Sequence, residues 1–508
     1  MRKIYSIPLL IITLLLIASI IIGTSYSLWI KTNNQKDENV VTTSCFSSTF
    51  TEESTINLKN AMPISDTSGL KKTPYTFTLK NNCDVNLKIN ISLDVLNTST
   101  MTSNSIKVAL KSSNIFMTNA TLLTNLSKKT TPDIKNAKEA YTLGEDFLGK
   151  NATKTYSIWA WMDENVGNEE QEKIFNSKIV VTNTAIDAEL LANKITELSA
   201  TDTTSFATND PDNNIRYIGA NPNNYVYFNC SDYSNQSDST CEKWRIIGVF
   251  KNITDSNNSK ADLVKIIRDS TIGGYSYDSS DSNENNGLGY NDWASADLMK
   301  LLNGGYSSLS ANNSLYYNAS KGACYNSSNN TTTDCDFTTT GLKNDTTRNA
   351  FESVIWNIGG IPNDASSTAT ATKWYQYERG TTVFSSNHST WTGQIAIMYP
   401  SDYGYATSGS ILVDRNTCLD YEYTWNSDNY ADCRLNNYLY KNLNQSSLGV
   451  SSSSNNYFYG IGFSGIAGGA IAKNADSVRP TGYLKANTKV YDNVGDGSSN
   501  NPYRLILS

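Results

Sequence analysis

VNLKINISLDV, residues 85–95, has an apolar side chain at every second position. Polar residues fill the positions between the apolar set Val85, Leu87, Ile89, Ile91, Leu93 and Val95. Because successive side chains of a strand point to opposite faces, this period predicts a β-strand with one buried face. Shorter runs with similar alternation follow at 106–110, 158–162 and 178–183. Repeated short strands of this kind predict an all-β sandwich over residues 28–186.

Three segments of this region resemble one protein family. They are SYSLW at 25–29, YTFTLKNNCDVNLKINISLDV at 75–95 and YSIWAWMDENVGNEEQEKIFNSKIVVTNT at 156–184. Together they resemble the TasA and camelysin group of exported matrix proteins of Gram-positive bacteria. The resemblance implies fibre or surface assembly, in which residues 28–50 are donated as a strand to the next subunit. An ordinary edge strand is the alternative for that segment.

The chain departs from that group in two respects. It carries Cys45 and Cys83, and it continues well past the predicted sandwich, to residue 508. A chain of this length exceeds one compact core, and two large domains fit it best. A role as a fibre subunit alone is therefore the alternative hypothesis and not the leading one.

The first residues have the pattern of an export segment. Two basic residues precede an apolar run over 4–22, and the small residues Ser25 and Ser27 follow. This pattern predicts a cleaved signal peptide over 1–27. The run is also close to the length that spans a bilayer, so an uncleaved membrane (TM) anchor is the alternative. Either way the remaining chain is predicted to be extracellular or at the cell surface, with a membrane contact only through residues 4–22.

The charge balance argues against one class of partner. Lys and Arg number 41 and Asp and Glu 48, which gives a net charge of 41 − 48 = −7. A nucleic-acid surface needs clustered cations, so no nucleic-acid partner is expected. Charged residues make up only 18% of the chain, and solubility therefore rests on hydroxyl and amide side chains.

Eight cysteines predict a disulfide framework. In chain order they form the neighbouring pairs Cys45 and Cys83, Cys230 and Cys241, Cys324 and Cys335, and Cys418 and Cys433. An even count behind an export segment indicates an oxidising compartment. Sequential pairing is the economical hypothesis, although the sequence leaves the connectivity open. No two cysteines have the close spacing of zinc ligands, so they are not predicted to bind a metal.

Residues 187–207 are predicted to form a helical linker. Apolar residues recur there at helical spacing, and a polar stretch rich in Thr, Ser and Asp follows. Beyond the linker, short strands and helices alternate with Asn- and Ser-rich loops, which predicts a disulfide-stapled α+β domain over 208–508. Helices are expected there at 294–302 and 348–357.

An ordered series of motifs in the second region resembles another group. It comprises WRIIGVF at 244–250, VKIIRDSTIGGYSYD at 264–278, NDWASADLMKLLNG at 291–304, WTGQIAIMYPSDYGYA at 391–406 and VRPTGYLKANTKV at 478–490. Together they resemble an uncharacterised surface-protein module of gut-type Gram-positive bacteria, distantly similar to formylglycine-generating-enzyme and C-type-lectin-like folds. The resemblance implies architecture more than activity. Members commonly carry an aromatic-Ser-Pro segment before the Arg-Pro motif, and a different sequence occupies that place here. If that segment lines a site in the group, the site of this chain is altered.

Few residues suggest chemistry, and none is assigned a catalytic role. The single histidine, His388, lies in a polar loop, and we expect it to be solvated. Calcium is the one cofactor considered, through the alternate oxygen-bearing residues Asp210, Asp212 and Asn214. Ile215 stands where such a loop needs glycine, so an ordinary turn is the competing interpretation. A second oxygen-rich stretch contains Asp278, Asp281, Asn283 and Glu284.

Aromatic residues in the predicted loops are candidates for contact with a ligand. Rings that could stack on sugars are Trp293, Trp374, Tyr375, Trp391, Tyr403 and Tyr405. Packing in the core or in the loops is the alternative for each of them.

The leading functional hypothesis is an exported bacterial cell-surface protein with an adhesion or recognition role. In this hypothesis the sandwich acts as a stalk or assembly domain, and the second domain binds an extracellular glycan or protein. The alternative is a biofilm-matrix fibre subunit that self-assembles through the sandwich. A formylglycine-enzyme-like activity ranks third, because such chemistry needs free thiols and the cysteines are predicted to be paired.

Overall fold

The chain forms two compact units, Met1–Asp187 and Ala188–Ser508. The computed structural model describes residues 31–33, 46–50, 55–83, 85–112, 115–279, 287–303, 314–326, 331–421, 430–492 and 494–507. Strand is the predominant secondary structure, which confirms the prediction of a β-rich chain. The apolar segment 4–22 lies outside the described residues. Among the residues that are described, we find no helix with the length and apolar character needed to cross a membrane.

The described residues of the first unit form ten strands in two antiparallel sheets. In chain order they are β1 Lys31–Asn33, β2 Phe46–Phe50, β3 Thr55–Lys59, β4 Tyr75–Asn81, β5 Asn86–Leu96, β6 Ile106–Ser112, β7 Ile115–Leu122, β8 Ala137–Leu148, β9 Thr153–Met162 and β10 Ile174–Ile186. One sheet has the order β1-β10-β5-β8, with β3 also pairing β10, and the other has the order β2-β4-β9-β6-β7. The connections include the short helix Asp66–Gly69 and 3₁₀ turns at Ser103–Ser105, Leu123–Asn125 and Asn168–Glu170.

Both sheets contribute side chains to one hydrophobic core, as in a β-sandwich. The alternate apolar residues of β5 lie in this core and are at most 3% exposed: Leu87, Ile89, Ile91, Leu93 and Val95. Val85 precedes the strand and is 44% exposed. The sequence period therefore predicted the buried face of β5 correctly from residue 87 onward.

The opposite face of β5 is more buried than its polar residues predict. Ser92 and Asp94 are both buried. The backbone N–H groups of Asp133 and Ile134 donate to Asp94 Oδ2 at 2.7 and 2.9 Å, so a loop covers this end of the strand. Burial raises the pKa of the Asp94 carboxyl. The alternation could not predict this cover, because the loop is distant in sequence.

The segment proposed for strand donation pairs within its own unit wherever it is described. Residues 31–33 pair with 181–183 of β10, and residues 46–50 pair with 77–81 of β4. Cys45 lies outside the described residues, whereas Cys83 is described and is disulfide-bonded. The donation of this segment to another copy remains a prediction.

The second unit begins before the predicted boundary at residue 208. Strand β11, Ala188–Leu190, pairs with residues 489–491 near the end of the chain. The helix Leu191–Thr201 follows, and Leu191 and Ile195 are buried in the core of this unit. The predicted helix is therefore present. Its interpretation as a linker is wrong, because the helix packs as part of the second unit.

Several sheets build the second unit. The strands are β12 Phe206–Ala207, β13 Ile215–Tyr217, β14 Tyr225–Phe228, β15 Glu242–Thr254, β16 Lys260–Arg268, β17 Gly274–Ser276, β18 Lys321–Tyr325, β19 Thr332–Asp336, β20 Val354–Asn357, β21 Gly360–Ile361, β22 Thr390–Gly393, β23 Ile395–Ala396, β24 Gln445–Ser451, β25 Tyr457–Ile461, β26 Ala467–Ile471, β27 Ala475–Ser477, β28 Thr481–Tyr483, β29 Lys489–Tyr491 and β30 Leu505–Ile506. The largest sheet has the order β12-β13-β15-β16-β28-β23, and β14 also pairs β15. A second sheet, β17-β27-β24-β25-β26, includes β21 beside β24.

Short helices lie between these strands. They are Asp297–Asn303, Asp345–Ala350, Asn363–Ser366, Ala371–Glu378, Pro400–Tyr405, Arg415–Asp420 and Ala431–Leu435. The helix expected over 348–357 is wrong beyond Ala350, because the chain leaves the helix at Phe351 and forms strand β20. Val354, Ile355 and Trp356 are residue types that favour strands, and β20 pairs with β22.

Three disulfides are described in the second unit. They join Cys230 to Cys241, Cys324 to Cys335 and Cys418 to Cys433, which confirms sequential pairing for these six residues. No cysteine in the described part of the chain is free. Because such bridges persist in oxidising surroundings, they support an extracellular environment for this unit.

Candidate functional site

A cavity of about 360 Å³ opens on the second unit. Its aromatic lining consists of Phe250, Trp356, Tyr375, Tyr399 and Tyr483. Its polar lining includes Asp212, Asn214, Asn252, Thr254, Asn357 and Arg379. The volume falls in the range of small-molecule sites, which combine apolar walls with a few placed polar groups.

Behind the cavity lies a row of buried charges in alternating sign. Arg216 Nε lies 2.6 Å from Asp210 Oδ2, and Arg216 Nη1 lies 3.0 Å from Asp402 Oδ1. Lys265 Nζ lies 2.5 Å from Asp402 Oδ2. All four side chains are at most 2% exposed. Two acids and two bases leave no net charge, which is the condition under which buried charges are tolerated.

Lys265 is enclosed by aromatic rings. Its Nζ lies 4.4 to 5.4 Å from the ring centroids of Tyr399, Phe250, Trp356 and Tyr483. Burial lowers the pKa of Lys265 to about 8, against the opposing attraction of Asp402. Burial also opposes ionisation of Asp402, but Lys265 and Arg216 outweigh it and hold the pKa of this carboxyl below its ordinary value. The same four rings line the cavity, so Lys265 lies directly behind its wall.

A second acid and base lie at the end of the helix Ala371–Glu378. The buried carboxylate of Glu378 accepts hydrogen bonds from Ser401 N at 2.8 Å and from Ser401 Oγ at 2.5 Å. Arg379 Nη1 lies 3.2 Å from Glu378 Oε2. Burial raises the pKa of Glu378 to about 7, which places its titration near neutral pH.

Fixed polar groups surround Tyr375 at the cavity rim. The Arg379 guanidinium lies 3.4 Å from the centroid of the Tyr375 ring. Tyr375 Oη donates to Asp212 Oδ2 at 2.5 Å and accepts from Asn214 Nδ2 at 3.1 Å. The Asp212 side chain is 57% exposed, so this carboxylate faces both the tyrosine and solvent. These contacts hold donors and acceptors in place at the cavity rim.

The local sequence explains how the buried charges reach their positions. Lys265 pairs with Tyr483 across strands β16 and β28, which brings the tyrosine ring beside the amine. Asp402 lies in the first turn of the helix Pro400–Tyr405, where its Oδ2 accepts from the backbone N–H of Tyr399 at 3.0 Å. Proline at the first helical position and an acid in the first turn are both typical of a helix start.

Replacing Glu378 with glutamine is expected to change how stability depends on pH. The folded pKa of about 7 exceeds the ordinary value of 4.5, so the folded chain binds a proton between these values that the unfolded chain has released. Through this group, the free energy of unfolding falls as pH rises over that interval, by on the order of 3 kcal/mol. Glutamine does not ionise, so the free energy of unfolding of Glu378→Gln should not fall over this interval through this position.

Denaturant unfolding of the wild type and Glu378→Gln across that pH interval measures the difference. Glu197→Gln is the matched control, because Glu197 is exposed on the helix Leu191–Thr201 and should leave the profile unchanged. Identical pH slopes for the wild type and Glu378→Gln would contradict the expected role of the buried carboxyl.

The calcium prediction at Asp210, Asp212 and Asn214 is not supported. Asp210 accepts from Asn214 N at 2.8 Å, from Asn214 Nδ2 at 2.9 Å and from Arg216, so its oxygens serve the buried ion pair. Asp212 faces the cavity instead. No group of three or more His, Cys, Asp or Glu side chains in the described ranges is arranged to hold a metal ion.

The second oxygen-rich stretch is described only in part. Asp278 is buried and accepts from the backbone N–H groups of Tyr290 and Asp297 at 2.8 and 3.1 Å. Burial raises its pKa to about 6, with a further contribution from the carboxylate of Asp297. Asp281, Asn283 and Glu284 lie outside the described residues.

The six candidate aromatic residues do not form one exposed surface. Five are at most 2% exposed: Trp293, Trp374, Tyr375, Tyr403 and Tyr405. The sixth, Trp391, is half-buried and packs edge to face against Trp293. Packing therefore accounts for most of the set, and Tyr375 is the member that lines the cavity.

His388 has a partner that the sequence did not indicate. Its Nδ1 lies 2.9 Å from Asp292 Oδ2, and the imidazole side chain is 61% exposed. Ser295 Oγ donates to the same carboxylate oxygen at 3.0 Å. The serine thus contacts the acid and not the imidazole, which differs from the order of a Ser-His-Asp triad.

The central charged residues were missed at the sequence level: Arg216, Lys265, Glu378, Arg379 and Asp402. A signal was present in LVKIIR at 263–268, where a lysine interrupts an apolar strand. Lysine is almost never fully buried unless it is paired, so this position predicts a buried acid elsewhere. The identity of that acid depends on the tertiary fold.

Comparison with known proteins adds little to the geometry. No protein-family model and no curated protein matches the chain. A solved structure described as "Crystal structure of botulinum neurotoxin serotype C1 binding domain" is similar at 11% sequence identity, with 51% of this chain and 73% of that chain covered. The TM-score is 0.14, which is too low to indicate a shared fold.

Proposed function

We propose that this chain is an exported cell-surface protein whose second unit recognises an extracellular glycan. The cavity at Tyr375 is the proposed binding site. Three disulfides in the same unit support a location outside the cell, because such bridges form and persist under oxidising conditions.

One observation carries the proposal, namely the combination of groups on the cavity wall. Aromatic rings adjoin an exposed carboxylate, an arginine and several amide side chains. A sugar ring presents a rim of hydroxyl groups, which the carboxylate, the arginine and the amide side chains of such a wall can contact by hydrogen bonds. Asp212 is suited to accept from a sugar hydroxyl through Oδ1, since Tyr375 Oη already donates to Oδ2. Arg379 supplies fixed donors beside it.

A glycan array tests the proposal directly. The full chain, purified in mild detergent, is expected to bind at least one class of glycan. Asp212→Asn removes a charged acceptor and is expected to weaken binding by roughly 10-fold or more, because a hydrogen bond to a charged group contributes about 1.5–3 kcal/mol. Titration of the best glycan by calorimetry measures the change.

Glu197→Gln serves as the matched control for a lost surface carboxylate, because Glu197 is exposed on the helix Leu191–Thr201. Its affinity should equal that of the wild type. The proposal fails if no glycan binds, or if Asp212→Asn binds as tightly as the control.

A further inference from the structure

Lys265 and Asp402 form the closest acid-base contact of the buried row. Their Nζ and Oδ2 atoms lie 2.5 Å apart, and neither side chain is exposed to solvent. The other carboxylate oxygen, Oδ1, accepts from Arg216 Nη1 at 3.0 Å. We propose that these two residues are joined by an intramolecular amide bond between Lys265 Nζ and Asp402 Cγ.

The buried surroundings make the reacting forms of both groups accessible. Charges are costly in an apolar site, so transfer of a proton from the ammonium to the carboxylate within the pair is easier there than in water. Burial lowers the pKa of Lys265 to about 8, and the free amine is therefore within reach near neutral pH. The low pKa of Asp402 keeps the neutral pair a minor form, so the reaction is slow.

The step balances without any co-reactant. The neutral amine of Lys265 attacks Cγ of Asp402, and a C–N bond forms. Negative charge develops on Oδ1, where the guanidinium of Arg216 stabilises it. The Cγ–Oδ2 bond then breaks, and Oδ2 leaves as water. The lysine ammonium has three protons. Two of them leave with Oδ2 as water, and the third stays on Nζ, which becomes the amide nitrogen.

The neighbouring groups favour this pairing over others. Two other buried carboxylates lie nearby: Asp210 is paired with Arg216, and Glu378 accepts from Ser401 N and Oγ. Four aromatic rings surround Lys265 and exclude bulk water, which protects the amide from hydrolysis. The same rings line the cavity, and this gives the released water a short route to solvent.

The bond joins strand β16 to the helix Pro400–Tyr405 across 137 positions of sequence. It therefore closes a much longer loop than the disulfides of this unit, whose separations are 11 to 15 positions. A longer closed loop removes more freedom from the unfolded chain. Thiol reductants do not cleave an amide, so this cross-link persists when the disulfides are reduced.

Tryptic digestion of the full chain tests the proposal. The purified protein is unfolded, reduced and alkylated before digestion. We expect peptide 261–268 to remain joined to peptide 380–415, with a mass below the sum of the two by one water molecule and no cleavage after Lys265. Recovery of 261–265 and of unmodified 380–415 as separate peptides would overturn the proposal.

A second buried pair supplies an internal control. Lys154 Nζ lies 2.9 Å from Asp146 Oδ1, and these side chains are 6% and 14% exposed. A neutral hydroxyl, Tyr156 Oη, donates to the second oxygen of Asp146, whereas the Arg216 guanidinium donates to the second oxygen of Asp402. Without a guanidinium in that place Asp146 should not react, so trypsin should cleave after Lys154 normally. In Lys265→Arg, peptide 380–415 should appear unlinked, and its persistence in linked form would exclude Lys265 as the partner. The wild-type digest decides the question even if this variant does not fold.

The cross-link is independent of glycan recognition. If the digest shows no linked peptides, the proposal of glycan binding at the cavity is unaffected. A negative glycan array likewise leaves the peptide masses unchanged, so the two proposals fail separately.

Discussion

Arg216→Met is expected to lower the free energy of unfolding of the second unit by about 3–5 kcal/mol, because it leaves a buried carboxylate without its cation. Arg216 Nε lies 2.6 Å from Asp210 Oδ2, and the Asp210 side chain has no exposure to solvent. Methionine fills similar space, so loss of packing contributes little. The effect rests on Asp210 and is expected whether or not Lys265 and Asp402 are linked.

The loss of unfolding free energy in Arg216→Met should be smaller at acid pH. Burial opposes ionisation of Asp210, but Arg216 outweighs it and holds the pKa of this carboxyl below its ordinary value. Without that cation the pKa rises, and protonation then removes the uncompensated charge. Urea unfolding of wild type and variant at several pH values measures both effects.

Lys243→Met is the matched control for Arg216→Met. Lys243 pairs with Asp238 at 3.0 Å, but the two side chains are 31% and 64% exposed. Surface pairs of this kind contribute about 0–1 kcal/mol. A similar loss in Arg216→Met and Lys243→Met would show that burial of the ion pair does not matter.

Removal of the Cys418–Cys433 bridge is expected to cost about 3 kcal/mol, the chain-entropy value for a loop of roughly 15 residues. The bridge joins the helices Arg415–Asp420 and Ala431–Leu435 over a separation of 15 positions, and both cysteines are buried. The double variant Cys418→Ala/Cys433→Ala therefore unfolds at lower denaturant concentration. Full reduction of the wild type, which opens every bridge, should lower stability further.

The single variant Cys418→Ala separates the bridge from the side chains. Because the bridge needs both sulfur atoms, the single and double variants should lose nearly the same stability. Denaturant midpoints with and without reductant measure this, and reductant should change the single variant less than the wild type. An unchanged midpoint in the double variant would mean that the bridge does not stabilise the fold.

Local patterns predicted the elements whose formation depends on neighbouring residues. The period of two over residues 87–95 identified the buried face of β5, and helical spacing identified the helix Leu191–Thr201. Sequential spacing also predicted three disulfides correctly. The same reasoning failed at 348–357, where helical spacing of apolar residues continued into a strand that pairs with residues 390–393.

The candidate site could not be assembled from local patterns. Asp210 and Asp212 were grouped as calcium ligands because they are near neighbours in sequence. In the fold their carboxylates separate, one to Arg216 in the core and the other to Tyr375 at the cavity rim. Lys265 and Asp402 meet across 137 positions, a contact that no spacing rule anticipates.

The sequence by itself determined a β-rich chain with an apolar first segment, an acidic balance and three disulfides between neighbouring cysteines of the second unit. These properties follow from composition and from periods of a few residues, which local chain geometry enforces. Only the tertiary structure decided that the helix after residue 190 belongs to the second unit and that a lysine, two arginines and three acids gather at one cavity. Buried charges must find partners wherever the fold brings them, so their pairing is a property of the packed chain and not of any segment within it.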